Sequence, residues 1–327
     1  MSSHFSSLDH YLSIAVEERT ISEASTPDHR GAGDAAGDAD LGEYVALIIA
    51  YRDHSLVESV LAQLEAQAQL PHQVLIVDNG GTLTDADLES MPLCGRTLLI
   101  SRPDNPGYGV AVHSARDHLG DRALLVLTHD AEFTSSLATH LLRTLREPLD
   151  AADALRVGCV APLLKFAAQR DRVFSAGGAV TRGGRASHLT EPISTRPYPV
   201  AWVDGAIAMY SAEALQAIDW IAEDYFLYFE DVDTGWRLSQ TGFASVVVPT
   251  EIAYQQTGAH PMYLGIRNMT LFAYRSGVHP MRQFGAVIHR VSREAAGRLR
   301  RRKPLELRAA WRGWRDGRSG LSGKPGG

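Results

Sequence analysis

Short apolar segments alternate with segments of helical periodicity from Tyr44 onward, and this rhythm restricts the fold more than any other feature of the chain. In chain order it predicts a strand at 44–51, a helix at 55–68, strands at 73–77 and 96–101, a helix at 109–119, a strand at 122–128 and a helix at 135–145. Strands that alternate with helices form parallel sheets covered by helices on both faces. The sequence therefore predicts an α/β protein with a doubly wound, mostly parallel sheet.

The rhythm changes after about residue 157. Strand-like segments at 157–164 and 202–210 flank a glycine-rich turn at 177–184, and we expect these strands to be mixed or antiparallel additions to the sheet. A helix at 230–240 and a strand at 244–248, which Pro249 ends, precede further helical material. Before the alternating part, residues 1–42 include a run of Gly, Ala and Asp that buries little apolar surface, so this segment is expected to be flexible.

Composition excludes several classes of protein. The chain has 327 residues, and its 45% hydrophobic content is enough for a sizeable core. Two cysteines are too few for a disulfide framework, no apolar run has the length of a membrane span, and the N-terminus does not follow the plan of a signal peptide. We therefore expect a cytoplasmic protein.

The formal net charge of −6 hides a basic tail. Between residues 282 and 318, twelve Lys or Arg residues face only three acidic residues. Such a helix is either an ordinary solvated surface or a peripheral contact with anionic lipid on the inner face of the membrane. Nucleic-acid binding is disfavoured, because no zinc knuckle, aromatic RNA platform or helix-turn-helix signature accompanies the charge.

Acidic residues follow two of the predicted parallel strands, at the edge where such sheets bind ligands. Asp78 opens an Asp-Asn-Gly-Gly segment, and Asp130 follows Thr128 and His129. Asp, Asn and Gly are also the residues that favour turns, so Asp78 either contacts a ligand or only shapes the turn after the strand. The carboxylate of Asp130 suits Mg²⁺ or Mn²⁺, which prefer oxygen ligands, and His129 is either a further ligand or a solvated loop histidine.

The loop between these two sites carries Asn105, Gly107 and Gly109 ahead of a predicted helix. Glycines let a backbone approach a ligand closely, and a helix N-terminus offers unpaired N–H groups, so the loop is a candidate for holding a phosphate or a sugar. No Gly-x-Gly-x-x-Gly joins the first strand to its helix, which disfavours a nicotinamide dehydrogenase.

Two adjacent carboxylates, Glu230 and Asp231, follow the aromatic run at 225–229 and begin a predicted helix. Apolar surroundings make a carboxylate costly unless it has a partner or a task, so this pair is a candidate for chemistry. Neighbours on a helix point about 100° apart and need not share one role. In the structural alternative, one acid caps the helix while Asp233 and Arg237 form a surface ion pair.

Taken in order, these motifs resemble glycosyltransferase family 2, in particular its rhamnosyltransferase-like branch with the GT-A fold, which is Rossmann-like. The resemblance runs from about Val45 to Asn268, and its most specific part lies between Trp202 and Pro249. The matching segments are Ala50-Tyr51-Arg52, Val77-Asp78-Asn79-Gly80-Gly81, Asn105-Pro106-Gly107-Tyr108-Gly109, Leu127-Thr128-His129-Asp130, Trp202-Val203-Asp204-Gly205, Tyr225 through Arg237, Gly242-Phe243, Val248-Pro249 and Tyr263 through Asn268.

The resemblance implies a nucleoside diphosphate sugar as the donor. It implies that Asp231 is the catalytic base, that Glu230 supports it or orients the acceptor, and that Asp130 is the surviving acid of a motif for Mg²⁺ or Mn²⁺. The residues implied to bind the donor are Ala50, Tyr51, Arg52, Asp78, Asn105, Gly107, Gly109, Thr128 and His129.

One departure from the family pattern affects the metal site. Relatives carry a histidine shortly after the position of Tyr254, where this chain has Gln255 and Gln256. Either glutamine or the nearby His260 takes its place, or donor binding is weaker or independent of metal.

The leading hypothesis is an inverting glycosyltransferase that moves a sugar to an acceptor hydroxyl by metal-assisted single displacement, the acceptor being a lipid-linked glycan or a small metabolite. The expected organisation is a GT-A domain at 43–275, with a nucleotide-binding half (43–150) and an acceptor half (151–275), and a basic helical tail at 276–327 with a disordered end; an oligomer is compatible with it. The alternative is a non-catalytic protein that binds nucleotide sugars or acts as a scaffold on a degenerate GT-A fold. A nucleotidyltransferase is a weaker alternative, because the glycine-rich loop expected after its first strand is absent.

Overall fold

A computed structural model describes residues 41–147, 156–256, 258 and 260–326. Apart from residues 41 and 42, the segment predicted to be flexible lies outside the described residues. The centre of the fold is a nine-stranded sheet, and a second sheet has two strands. The strands are β1 (Tyr44–Ala50), β2 (Gln73–Asp78), β3 (Thr97–Ser101), β4 (Ala123–Thr128), β5 (Arg156–Phe166), β6 (Gln169–Ser175), β7 (Gly178–Val180), β8 (Ala186–His188), β9 (Tyr198–Val200), β10 (Ile207–Tyr210) and β11 (Phe243–Gln255).

The sheet order is β3-β2-β1-β4-β10-β5-β11-β9, and β6 branches from β5. The first four strands of this order are parallel, and β11 is parallel to β5. Between these parallel parts, β10 is antiparallel to both β4 and β5. The predicted mostly parallel sheet with mixed C-terminal strands is confirmed, and its direction changes beside the carboxyl end of β4.

Helices cover both faces of the sheet. Alternate residues of β1 enter two different hydrophobic cores, as expected for a central strand buried on both sides. The helices are α1 (His54–Glu65), α2 (Asp85–Leu88), α3 (Tyr108–His113), α4 (Arg116–Leu119), α5 (Leu137–Arg146), α6 (Ala212–Ala217), α7 (Glu230–Gln240), α8 (Met262–Arg275), α9 (Pro280–Arg300) and α10 (Leu307–Arg318). One core contains apolar residues of α1 and α5, and the other contains apolar residues of α3, α6 and α7.

The strand β11 is longer than predicted, because Pro249 does not end it. Its parallel pairing with β5 shifts register between Val248 and Ile252, so the proline falls within an irregularity where a ladder hydrogen bond is already missing. The continuation to Gln255 carries the strand end into the region of the predicted metal site.

Two further boundaries differ from the prediction. The strand predicted at 202–210 is reduced to β10, because the carboxylate of Asp204 accepts a hydrogen bond from the backbone N–H of Ala206 at 2.9 Å and forms a turn. The helix predicted at 109–119 is two short helices, α3 and α4. The shorter strand leaves Asp204 in a loop instead of in the sheet.

The helices of the basic tail pack against the rest of the fold. Helix α10 lies on α8, and glycines on α10 allow the close approach: a Cβ on Gly313 would lie 2.5 Å from the carbonyl oxygen of Tyr263, and one on Gly317 would lie 2.5 Å from that of Arg267. After α10, the carbonyl of Gly323 accepts a hydrogen bond of 2.8 Å from the guanidinium of Arg267. Within the described ranges, none of the helices has the length and apolar character needed to cross a membrane.

Candidate active site

A cavity of about 920 Å³ opens at the carboxyl end of β4. Its wall includes the end of β4, the loop 204–206, the start of α7 and one face of α9. Four of the predicted site residues line it, namely Thr128, Glu230, Asp231 and His260. The predicted residues outside its wall are Ala50, Tyr51, Arg52, Asp78, Asn105, Gly107, Gly109, His129 and Asp130. Of the three aspartates predicted to take part in the site, Asp231 lies in the cavity wall, whereas Asp78 and Asp130 do not line the cavity.

The backbone just before α7 follows an unusual path. Phe226, Tyr228 and Phe229 have φ angles of 64°, 72° and 79°, in the left-handed region that side chains other than glycine seldom occupy. Each such residue costs of the order of 1–3 kcal/mol, so surrounding contacts must hold the segment in place. This turn delivers Glu230 and Asp231 to the first turn of α7, at the cavity wall.

Asn268 on α8 supplies those contacts. Its side-chain amide donates hydrogen bonds to the backbone carbonyls of Tyr225, Leu227 and Tyr228 at 2.8–3.0 Å. The neighbouring Arg267, which is fully buried, donates to the Tyr225 carbonyl at 2.8 Å. The Tyr-x-x-x-Arg-Asn segment therefore positions the loop that carries the catalytic candidates, a role that the sequence did not assign to it.

The carboxylates at the start of α7 lie in an unfavourable environment for negative charge. Glu230 is 6% exposed, and among the described residues its Oε2 atom has no hydrogen-bond partner. Burial raises the pKa of Glu230 to about 7, and the negative charges of Asp204 and Asp233 add to the effect. Burial, together with the charges of Glu230 and Asp204, also holds the pKa of Asp231 well above its ordinary value. These groups are more basic than ordinary carboxylates.

The pair formed by Asp233 and Arg237 is present but buried, so the expectation of a surface ion pair is corrected. Asp233 is 2% exposed and accepts hydrogen bonds from Arg237 at 2.6 Å and from the hydroxyl of Tyr225 at 3.0 Å. Arg237 also donates to the backbone carbonyl of Trp220 at 2.7 Å. The pair fastens the loop before α7 to the helix itself.

Asp78 is also buried, but its carboxylate is fully used by its own loop. One oxygen accepts the backbone N–H of Gly80 at 2.8 Å, and the other accepts those of Thr82 and Leu83 at 2.6 and 2.8 Å. Asp78 therefore shapes the turn after β2. Direct contact between Asp78 and a donor nucleotide stays a prediction.

The residues after β1 form an open surface. Ala50 is buried in the strand, whereas Tyr51 is 40% exposed and the guanidinium of Arg52 lies 4.8 Å from the centre of its ring. Arg52 has a φ of 64°, which turns the chain sharply away from the strand. The arrangement presents an aromatic ring and a positive charge to solvent at the carboxyl edge of the sheet.

The glycines after Asn105 have a packing role that the sequence did not reveal. A Cβ on Gly107, whose φ is 99°, would collide with the carbonyl oxygen of Phe226, and a Cβ on Gly109 would collide with that of Ala222. The backbone N–H of Tyr108 donates to the Phe226 carbonyl at 2.8 Å. These glycines join the donor-side loop to the loop before α7, and contact with a phosphate stays a prediction.

The end of β4 lies next to the end of β11. Glu132 and Tyr254 exchange backbone hydrogen bonds of 2.8 and 2.9 Å in an antiparallel bridge; the half-buried Asp130 lies two residues before this bridge, and Gln255 and Gln256 directly follow it. Thr128 Oγ1 and Gln255 Oε1 are buried in this region without a hydrogen-bond partner among the described residues. His129 is nearby, with its Nδ1 atom 3.3 Å from the Ile49 carbonyl oxygen.

These oxygen atoms fit a hard divalent cation that takes its remaining ligands from a substrate. Mg²⁺ typically binds one or two protein carboxylates together with substrate phosphates and water. No cluster of three or more His, Cys, Asp or Glu side chains suited to a metal occurs in the described part of the chain. Asp130 and the unpaired amide oxygen of Gln255 are oxygen ligands of the kind that such a cation prefers, and binding of a metal by either stays a prediction. His260 stacks on Tyr228, with 4.1 Å between ring centres, and its role as a ligand stays a prediction.

Two residues of the cavity were not singled out from the sequence. Asp204 lies in the loop before β10, and its negative charge helps to raise the pKa values of Glu230 and Asp231 at the start of α7. His188 on β8 lies between the rings of Phe174 and Trp202, and its Nδ1 atom is 4.0 Å from Asp204. Asp204 had a signal in the motif that begins at Trp202, whereas nothing in the sequence around His188 marks it.

The sequence matches the model of the family described as "Glycosyltransferase like family 2" over residues 42–272, which are 231 of its 327 residues. The chain belongs to this family. It is a glycosyltransferase, as the motifs at the strand ends and at the start of α7 predicted.

Curated relatives extend the match. This family 2 glycosyltransferase is 26% identical over 231 residues to N-acetylglucosaminyl-diphospho-decaprenol L-rhamnosyltransferase of Mycobacterium tuberculosis strain H37Rv, a match that covers 62% of this chain and 72% of the relative. The same protein of strain CDC 1551 / Oshkosh matches equally. The predicted rhamnosyltransferase-like character within family 2 is confirmed.

Solved structures share the fold. GalNAc-T7 with UDP, GalNAc and Mn²⁺ has a TM-score of 0.57 at 13% identity, with 71% of this chain and 47% of that chain covered, so the family 2 glycosyltransferase spans less than half of that structure. The mannosyltransferase PcManGT from Pyrobaculum calidifontis, in complex with GDP-Man and Mn²⁺, has a TM-score of 0.51 at 13% identity, with 98% and 94% covered. S. aureus TarS 1-349 in complex with UDP-GlcNAc has a TM-score of 0.51 at 12% identity, with 75% and 70% covered. The GT-A fold predicted from the sequence is confirmed.

Proposed function

We propose that this glycosyltransferase inverts the anomeric centre of the transferred sugar and uses Asp231 as the base. The supporting observation is the pair of adjacent carboxylates at the start of α7, Glu230 and Asp231, whose pKa values are both raised. A base is most effective when its pKa lies near the working pH, so burial makes Asp231 a better proton acceptor than an exposed aspartate. Attack by the deprotonating acceptor hydroxyl breaks the bond to the diphosphate in one step and inverts the configuration.

Glu230 and Asp204, the neighbouring carboxylates of the cavity, are proposed to support Asp231 through their negative charge. Glu230 adds negative charge beside Asp231, and we assign it to raising the basicity of that residue and to orienting the acceptor. Asp204 acts on the same group through its charge. Because Asp231 and Glu230 are coupled in this way, the cluster is expected to exchange protons as a unit.

The donor is proposed to be a nucleoside diphosphate sugar lying along the carboxyl ends of β1 and β4. Arg52 and the ring of Tyr51 are exposed there. Asp130 and Gln255 would hold a Mg²⁺ or Mn²⁺ ion, which when bound supplies positive charge to the departing diphosphate. The proposed donor-binding set is Ala50, Tyr51, Arg52, Asp78, Asn105, Gly107, Gly109, Thr128 and His129, with His260 as a further candidate ligand.

The acceptor is proposed to be a lipid-linked glycan. The M. tuberculosis relative is named for an acceptor in which a sugar is joined through a diphosphate to decaprenol. A cavity of about 920 Å³ has room for a sugar and a charged linker in addition to the reacting hydroxyl. A small metabolite with a hydroxyl group is the competing acceptor.

Turnover of the donor tests the proposal. The full-length protein is incubated with a panel of nucleotide sugars in the presence of Mg²⁺, Mn²⁺ or EDTA, and the release of nucleoside diphosphate is measured with and without acceptors. We expect release that depends on metal and a product whose anomeric configuration, determined by NMR, is opposite to that of the donor. Retained configuration would contradict the single displacement, and donor binding without release under any condition would favour the non-catalytic alternative.

Peripheral contact with the cytoplasmic face of the membrane is a further part of the proposal. Large apolar side chains on α9 and α10 are exposed: Met281 by 72%, Ile288 by 51% and Trp311 by 61%. The same two helices carry most of the basic residues of the tail. Exposed apolar groups beside basic ones suit the interface of an anionic bilayer.

A vesicle assay tests this contact. Charge introduced by Met281→Asp with Ile288→Asp is expected to weaken flotation with phosphatidylglycerol vesicles about tenfold, because two apolar contacts are lost and two negative charges are added. Leu70→Asp with Ile193→Asp is the matched control, since those side chains are also exposed, by 41% and 62%, but lie on other parts of the chain. Equal binding of both double variants would remove this surface from the proposal.

A further inference from the structure

The cavity that contains Asp231 also has a strongly basic wall. Arginines of α9 face it together with one arginine from the turn between β7 and β8. We call this set the arginine wall, and its members are Arg185, Arg290, Arg293, Arg298 and Arg301. The proposed chemistry of base and donor does not use any of them.

Four of the five arginines lie along one face of α9 and its C-cap. The residues that line the cavity from Arg290 to the C-cap Arg301 recur at intervals of three and four, which places them on the same side of the helix. Eleven steps of 1.5 Å each extend the wall over about 16 Å. A long and mainly positive surface, interrupted by Glu294, therefore leads away from the carboxylates and suits an extended anionic group better than a single point charge.

Most of this positive charge is uncompensated. Arg298 is paired with Glu294 at 3.0 Å and with Glu306 at 2.9 Å. The other members of the wall have no carboxylate oxygen within 4.0 Å among the residues that the structure describes. Elsewhere in the tail, Arg315 is also paired, with Asp316 at 2.8 Å.

Arg290 is the member that most needs an anion. It is half-buried, and burial lowers its pKa; the charge of Arg185 adds to this effect, and the charge of the nearby Glu294 opposes it. Its guanidinium lies against Gly265 of α8, where a Cβ would be 2.5 Å from Nη2, so the glycine makes room for it. A glycine inside a helix is less stable than an alanine, and the desolvation of a cation adds a further cost. Both costs are offset when an anion binds there.

We propose that the arginine wall binds a phosphate or diphosphate group carried by the acceptor. Guanidinium groups donate paired hydrogen bonds in a planar fork that matches phosphate oxygens. The inference rests on the proposed transferase function, because the acceptor hydroxyl must reach Asp231 in the same cavity. The donor diphosphate is assigned elsewhere, to the carboxyl ends of β1 and β4, whereas the wall belongs to α9 and the β7–β8 turn.

Calorimetry with inorganic pyrophosphate tests the site without any need for catalysis. The full-length protein is titrated in EDTA, which removes the metal that the donor site is proposed to use. Replacing Arg290 and Arg293 by alanine is expected to weaken pyrophosphate binding about tenfold or more. Arg300→Ala, an exposed arginine of the same helix outside the cavity wall, is the matched control and is expected to keep the affinity.

Two results of this titration would overturn the inference. Equal weakening by Arg300→Ala would mean a diffuse effect of the basic tail, and unchanged affinity in the double variant would mean that pyrophosphate binds elsewhere. Loss of affinity in Arg52→Ala, with no loss in the double variant, would assign the pyrophosphate to the donor side. Thermal unfolding of each variant shows whether an effect on binding follows from loss of structure.

A pair of acceptors identifies the source of the phosphate. The two compounds carry the same sugar, one on a diphosphate-linked short prenyl chain and the other on a neutral linker of equal length. The ratio of their kcat/KM values is expected to fall about tenfold in the double arginine variant. An unchanged ratio would overturn the assignment to the acceptor.

The same experiments separate this inference from the proposed function. A wild-type protein that transfers sugar to neither acceptor, with any donor, contradicts the transferase chemistry, while the pyrophosphate titration still decides whether the arginine wall binds an anion. Vesicles of phosphatidylglycerol distinguish a headgroup from an acceptor. Flotation of the double arginine variant should equal that of the wild type, and loss of flotation would reassign the wall to membrane lipid.

Discussion

Two aspartates of low exposure differ in how their oxygens are used: the buried Asp78 after β2 and the half-buried Asp231 at the start of α7. Asp78 is fully buried, and its two oxygens accept three backbone N–H groups. Asp231 accepts one, from its neighbour Val232 at 2.8 Å, and lies beside Glu230, which has a buried oxygen without a partner. Burial alone does not indicate chemistry, because a carboxylate whose hydrogen bonds are satisfied shapes the backbone, whereas one left with few partners is available to a substrate.

The largest expected effect is the loss of activity when Asp231, at the start of α7, is replaced. Asp231→Asn keeps the size of the side chain but removes the base, so the rate of sugar transfer is expected to fall about 10³-fold while donor affinity, measured by calorimetry, is retained. Asp219→Asn is the control, since Asp219 is exposed and its ion pair with Arg116 lies on the surface. A rate within about threefold of the wild type would remove Asp231 from the role of base.

On the side of β2 the effect should be on stability. Asp78→Ala leaves three backbone N–H groups without their acceptor, that of the buried Leu83 among them, and is expected to lower the free energy of unfolding by about 3 kcal/mol, measured by urea denaturation. Asp87→Ala removes a capping-box carboxylate at the surface and should have a smaller effect. A variant of Asp78 with wild-type stability but no donor binding would reverse the contrast and make Asp78 a ligand-binding residue.

The pH dependence of stability sharpens the comparison. Because burial raises the pKa of Glu230 from 4.5 to about 7, the folded protein is destabilised once this group ionises in the unfolded chain. Glu230→Gln should therefore have almost no effect on stability near pH 4. Its stabilising effect should grow as the pH rises from 4.5 to 7 and reach about 3 kcal/mol at pH 8. Urea denaturation at both pH values is the measurement, and equal effects at pH 4 and pH 8 would contradict the raised pKa.

The smallest expected effect concerns the support of the α7 turn. Asn268→Ala removes the donor that holds three carbonyls of the left-handed segment, and about 1 to 2 kcal/mol of stability should be lost. The rate of transfer should fall about tenfold, because Asp231 is less firmly positioned. Ser276→Ala on the C-cap of the same helix is the control, since its hydroxyl contacts only the carbonyls of α8. A loss of stability without a loss of rate would separate the turn from catalysis.

The order of strands and helices in the first half of the sheet could be predicted because buried parallel strands have a strong apolar signal. The site could be predicted in part, since Glu230 and Asp231 follow an aromatic run that favours burial. The hydrogen bonds that the carboxylate of Asp78 accepts could not be predicted. They come from backbone N–H groups two to five residues away, and the sequence does not reveal the direction of those groups. The packing of the basic tail could not be predicted either. It depends on glycines of α10 that allow a close approach to α8, and the sequence does not show that these two helices are neighbours.

The packing of α10 on α8 connects the C-terminal helix to the turn that carries Glu230 and Asp231. Helix α8 holds the turn before α7 through Asn268 and Arg267, and Arg267 is in turn anchored by the carbonyl of Gly323. Shortening the protein at its C-terminus would thus remove a support of Asp231, the proposed base, although no proposed reacting group is cut away. A truncated protein that still folds but has lost turnover is therefore a consequence of this architecture, and the missing residues need not be substrate contacts.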